Sequence, residues 1–211
     1  MKTAKKIISL ILALILILSV SAAMAKTVEP EDTETERLAG KTISATVGAY
    51  DADFTKTFTV TLYEEDRFDN DDIAALAAGD ILLAGGYPHV VREVTKSPDG
   101  DPMVICEDGE EIVFTPAPDD DEMIARSTDD DRLFMHAFRV VHLPAAADIV
   151  LEDLSDPDSE EAVMTTGLEA ILAVKEEKET TSIGFDFYAT TITLNENLEI
   201  VKIHQVFDVA Q

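Results

Sequence analysis

Four histidines, a single cysteine and several runs of acid carry the chemistry available to this chain. The histidines are His89, His136, His142 and His204. His136 and His142 lie in one apolar stretch, Leu133 to Leu143, which reads as a strand. They share a face of it with Phe134, Phe138 and Val140. Six residues at about 3.3 Å each put the two rings about 20 Å apart. One metal ion holds its ligands at about 2 Å and cannot use both. A metal site would have to recruit His89 or His204 from elsewhere, together with a carboxylate. The plainer reading makes these structural histidines.

Cys106 closes an apolar run, Val104-Ile105-Cys106, and precedes Glu107 and Asp108. Burial and nearby negative charge both raise a thiol pKa, the wrong surroundings for a nucleophile. The residue reads as a small core side chain. The G-x-S-x-G elbow of many serine hydrolases is absent.

The acids cluster at Asp66 with Asp69, Asp71 and Asp72, at 119–122, at 129–131, and at Asp156 with Asp158, Glu160 and Glu161. None matches the EF-hand calcium loop. Asp156-x-Asp158-x-Glu160 begins correctly, but Glu161 stands where that loop needs glycine and Gly167 where it needs its closing glutamate. Asp129, Asp130 and Asp131 lie between Arg126 and Arg132, on the approach to His136. Asp129 and Asp131 with His136 form the candidate acid–base set for a hydrolase. The same three aspartates are the candidate calcium ligands, although three consecutive acids also suit a solvated, salt-bridged turn. No other cofactor is indicated.

The elements that must position these groups read mostly as strands. Ile43, Ala45, Val47 and Ala49 alternate with polar or small residues. Beyond a turn at 51–53, Phe58, Val60 and Leu62 alternate with Thr57, Thr59 and Thr61. Two such runs make a hairpin with one buried face. Its other face carries Tyr50, Thr59, Thr61 and Tyr63, the candidate binding surface. A short helix follows, capped by Asp69 or Asn70 and ended by Gly79. Strands then read at Ile81–Ala84, around Val90–Val94, at Val104–Cys106 and at Ile112–Phe114, with turns at Gly85-Gly86, 97–100 and Asp108-Gly109. This order resembles that of small β-barrels, OB-like and SH3-like among them, which cross one barrel end with a helix or loop.

Pro116, Pro118 and the acids at 119–122 mark a break. Beyond it the Leu133–Leu143 strand is interrupted at 144–147 and resumes at Ile149–Leu151. Thr166 and Glu169 form a capping box opening a helix through about Lys178, with an apolar stripe of Leu168, Ile171 and Leu172. A hairpin of Ile183–Leu194 and Leu198–Phe207 closes the chain. The expected class is therefore mainly β (α+β). A small antiparallel β-barrel-like domain spans 41–118, and an α+β segment with one capped helix and a closing hairpin spans 119–211.

The 211-residue chain carries a net charge of −27. Lys2, Lys5 and Lys6 precede an apolar run from Ile7 that ends in Ala23-Met24-Ala25. This is the pattern of a secretory signal with cleavage after Ala25. Residues 26–40 then read as an acidic, flexible linker. The alternative is an uncleaved anchor, since the run approaches the roughly 20 residues that span a bilayer. Cys106 is far from the leader, so a lipoprotein signal is excluded. Cleavage would remove three lysines and no acid, taking the charge to −30. Such a chain repels nucleic acid and anionic lipid, whose binding rests on Lys and Arg, so no nucleic-acid partner is expected and, after cleavage, no membrane. The expectation is a secreted bacterial protein, a non-catalytic module that binds an extracellular or cell-envelope ligand. A small Asp/His hydrolase and a calcium-stabilised structural protein are the alternatives.

Overall fold

A computed structural model describes residues 37–118, 121–156, 161–180 and 190–206. The chain divides into two units, Met1–Ala39 and Gly40–Gln211. Of the first, the described part is the turn at 37–39. The leader and most of the acidic linker lie outside the described residues, as does 183–189 of the closing hairpin. All that follows concerns the second unit.

The opening hairpin pairs β1 (Thr42–Tyr50) with β2 (Thr57–Glu65). Ala45, Val47, Phe58, Val60 and Leu62 are buried, as the period-2 pattern requires. Asp51 builds the turn: its carboxylate accepts the N–H groups of Asp53, Phe54 and Thr55 at 3.0–3.1 Å. The Phe54 and Thr55 N–H groups, with the Thr55 hydroxyl, hold the Asp51 carboxyl down at about 2.

The first sheet runs β10–β9–β12–β11–β1–β2, with β9 (Met135–Leu154) also pairing β2. Its other members are β10 (Val163–Thr166), β11 (Thr190–Leu194) and β12 (Ile200–Val206). Strand pairing thus makes a closed circuit from β9 back to β9. The N-terminal half of β9 lies antiparallel to β2, from Glu65↔Met135 to Thr57↔Pro144. Its C-terminal half lies parallel to β12 and antiparallel to β10. The interruption expected at 144–147 is instead a change of partner within one continuous strand. Pro144 has no N–H to donate, and it falls where the β2 ladder ends and the β12 ladder begins. Helix α2 (Leu168–Thr180) follows β10, with Ile171 buried. Its first backbone bond runs from the Ile171 N–H to the Gly167 carbonyl. The cap therefore falls on Gly167, one residue beyond the expected Thr166.

The second sheet is a curled antiparallel half-barrel, in the order β3–β8–β7–β6–β5–β4. Its strands are β3 (Arg67–Phe68), β4 (Ile81–Ala84), β5 (Tyr87–Lys96), β6 (Pro102–Cys106), β7 (Glu111–Pro116) and β8 (Met123–Ser127). Strands from both sides of residue 118 therefore share each sheet. Ile112 and Phe114 fill the half-barrel core with Leu82, Val91 and Phe134. Helix α1 (Asn70–Ala75) crosses between β3 and β4 and drops Ile73 into that core. It stops a turn before Gly79. Asp69 holds the N-cap position, while the Asn70 amide donates to the Asp121 carbonyl. Gly85 and Gly86, at φ +61° and +76°, make the two-residue turn between β4 and β5. Among the described residues no helix is long and apolar enough to cross a membrane.

Candidate functional site

A cleft of about 950 Å³ opens between β3 and β4, the two edges of the half-barrel. Tyr63, Phe68, Leu83, Tyr87 and Met135 give it apolar walls, and Asp66, Arg67, Arg132 and His136 supply charge. Leu83 and Tyr87 are 64% and 72% exposed. Arg67 pairs with Glu65 at 3.4 Å. Arg132 pairs with Asp130 at 3.3 Å and lies 5.8 Å from the centre of the Phe134 ring.

Asp66, in the link between β2 and β3, organises the floor and is only 7% exposed. Its Oδ2 accepts the Gly85 N–H at 2.5 Å, and its Oδ1 lies 2.6 Å from His136 Nδ1. Its own N–H donates to the Phe134 carbonyl at 2.9 Å. One residue thus ties the end of β2, the β4–β5 turn and the start of β9. The other ring nitrogen, His136 Nε2, faces Glu64 Oε1 at 3.2 Å. Carboxylate oxygens only accept, so the ring makes both contacts as hydrogen bonds only with a proton on each nitrogen. In that state it has no lone pair with which to act as a base.

The other sequence candidates take separate places. His136 meets Asp66 and Glu64, while the neighbouring acids meet arginines. Asp130 Oδ1 accepts the Arg132 N–H at 3.1 Å. The Asp131 carbonyl and carboxylate bind Arg126 at 3.1 and 3.4 Å, and Asp129 is exposed in the same turn. On the hairpin face, Thr59 Oγ1 lies 3.4 Å from His142 Nδ1, and Thr61 is opposite Val140. Thr46 Oγ1 donates to the Tyr63 hydroxyl at 3.3 Å. A bulge between Val47 and Tyr50 puts Tyr50 opposite Phe58. Their rings pack at 4.9 Å, so Tyr50 leaves the face that carries Thr59 and Thr61. Tyr63 alone of these four lines the cleft.

Sequence reasoning missed Asp66 as a site residue by grouping it with the acids of the next helix. No spacing in the sequence marks it: the β2–β9 register, which sets Glu64 opposite His136, brings it to the ring. It also missed a second gathering: His89, Cys106 and Asp108 each offer a ligand atom within 4.8 Å of the others. Cys106 is fully buried. Burial, then the charges of Asp108 and Glu110, push its thiol up to about 11. Burial also pushes the Asp108 carboxyl up, but the Glu110 N–H and the His89 ring outweigh it and hold that group below its ordinary value.

Comparisons with family models, with curated proteins and with solved structures find no match to this chain.

Proposed function

We propose that this chain is a secreted, non-catalytic binding module whose ligand sits in the cleft between β3 and β4. The carrying observation is the cleft itself. Its volume lies within the range of small-molecule sites, about 300–1,000 Å³, and it combines apolar walls with a few convergent polar groups. Of its charged lining groups, Arg67 and Arg132 are cations and Asp66 is an anion, and the His136 ring adds N–H donors directed at acids. The cleft thus gathers guanidinium and imidazole N–H groups in a chain of net charge −27, each shared with a neighbouring acid: Glu65 at Arg67, Asp130 at Arg132, and Asp66 and Glu64 at His136. It favours an apolar molecule carrying an anionic head. The hydrolase alternative is disfavoured because both nitrogens of His136 are engaged. Of the lining residues, only Tyr63 and Tyr87 carry a hydroxyl. The secretory leader supports action outside the cytoplasm, and N-terminal sequencing of exported protein should begin at Lys26.

Saturation-transfer NMR with two probes, dodecanoate and dodecylamine, tests the reading. Dodecanoate should give transfer that falls strongly in Leu83→Glu, and dodecylamine should give little. Equal transfer from both probes, or dodecanoate transfer that survives Leu83→Glu, would refute it.

A further inference from the structure

The turn after β6 is tight. The Gly109 N–H donates to the Cys106 carbonyl at 3.2 Å, and the Cys106 N–H donates to the Glu110 carbonyl at 2.8 Å. Gly109 supplies the positive φ of +95° that this needs. The turn folds Asp108 back over the end of β6, where His89 arrives from the adjoining β5. Three ligand types, imidazole, sulfur and carboxylate, converge there within 4.8 Å.

The outer hydrogen bonds of both polar groups are already those of metal ligands. His89 Nε2 lies 3.2 Å from the Ala84 carbonyl oxygen, which can only accept, so the proton belongs on Nε2. Nδ1 is thereby turned into the cluster, 2.7 Å from Asp108 Oδ2. A metal-bound histidine almost always donates its other N–H to a carbonyl or carboxylate, which fixes its tautomer and orientation. Asp108 is held the same way. Its Oδ1 accepts the Glu110 N–H at 3.1 Å, leaving Oδ2 toward the cluster. The His89 and Phe134 rings pack nearly perpendicular, with their centres 5.9 Å apart.

We propose that His89 Nδ1, Cys106 Sγ and Asp108 Oδ2 bind a zinc-class divalent cation, with solvent as the fourth ligand of a tetrahedral set. A sulfur and a nitrogen donor select such an ion over calcium or magnesium, which prefer oxygen alone. On binding, the ion displaces the thiol proton and the proton shared by Nδ1 and Oδ2 into solvent. Ligands held at about 2.0–2.3 Å from an ion stand about 3.5 Å from one another. From separations of up to 4.8 Å the sulfur must therefore close on the other two atoms by up to about 1.3 Å, while Nδ1 and Oδ2, now 2.7 Å apart, open by about 0.8 Å, and the half-exposed Asp108 turn is the part free to move.

Cobalt(II) titrated into the purified full-length chain tests this, with zinc as competitor. One equivalent should produce a near-ultraviolet sulfur-to-cobalt charge-transfer band and the visible bands of a tetrahedral ion, and zinc should bleach both. Cys106→Ala should lose the charge-transfer band while keeping its circular dichroism. His89→Gln should weaken cobalt binding at least tenfold. Asp108→Asn removes a ligand without touching the core and should weaken binding too. A wild-type titration without the sulfur band, or cobalt affinity unchanged in both His89→Gln and Asp108→Asn, would overturn the proposal.

Discussion

Truncating Asp66 to alanine removes both acceptors at the floor of the cleft. The part-buried Gly85 N–H loses its partner, which costs about 1–3 kcal/mol. His136 loses a charge-assisted hydrogen bond of about 1.5–3 kcal/mol. Its side chain is 39% exposed, so water returns part of that second amount. The expected cost of Asp66→Ala is therefore about 2–4 kcal/mol. Asp66→Asn behaves differently. Its amide oxygen still accepts from Gly85, and its NH₂ donates to a His136 Nδ1 that has given up its proton, while Nε2–H still donates to Glu64. Only the charge assistance goes, about 1 kcal/mol. Urea denaturation at neutral pH separates the two. With a denaturant slope of about 2 kcal/mol per molar, the midpoint should fall by about 1–2 M for alanine and about 0.5 M for asparagine. Alanine costing under 0.5 kcal/mol would show that the carboxylate does not tie these elements together, and asparagine costing as much as alanine would show that its charge, and not its hydrogen-bond geometry, carries the tie.

Two further outcomes follow from local geometry. Gly85→Ala puts a Cβ 3.2 Å from Phe134 Cδ1 at φ +61°, so it should cost about 1–2 kcal/mol in the same urea assay, and a neutral result would be inconsistent with the turn described. Asp51 has its pKa lowered from 3.8 to about 2 by the turn it caps. Its contribution is complete above pH 3.8 and is lost as pH falls toward 2. The melting-temperature gap between wild type and Asp51→Ala should therefore be constant near neutrality and close across that window. A gap that widened on acidification would refute the assignment.

The strands were legible wherever one face is buried and the other wet. Phe58, Val60 and Leu62 announce β2, and Gly85-Gly86 announces the β4–β5 turn. Short β8 was not legible, because Met123-Ile124-Ala125 is buried on both faces and shows no alternation. Helix α1 begins where the sequence puts it but ends at Ala75, short of Gly79, and Asp80 accepts the Ala77 N–H in the turn that follows. The acids at 129–131 drew attention by their number, yet local arginines satisfy two of them. Asp66 is a single buried acid whose importance lies in contacts 19 and 70 residues away. His89 and Asp108 are likewise 19 apart. Pairings of that kind depend on register between strands, which composition and spacing do not carry.

Register is also what makes the cleft. The β2–β9 ladder sets Glu64 opposite His136, and the chain leaving β2 places Asp66 two residues on, within reach of the same ring. The burial of Phe58, Val60 and Leu62 fixes that ladder, because a slip of one residue would turn all three toward solvent. A shift between Leu62 and Tyr63 then re-aims the end of the ladder toward the half-barrel. Hydrophobic burial in one sheet thereby sets a polar knot at the mouth of the other. Leu62→Ala, fully buried, should cost about 2–5 kcal/mol. If the register carries the site, this variant should also broaden the His136 ring resonances, although the side chain removed belongs to the apolar core and not to the cleft lining. Sharp, unshifted His136 resonances in a folded Leu62→Ala would separate the two sheets' fates and break this chain of reasoning at its central step.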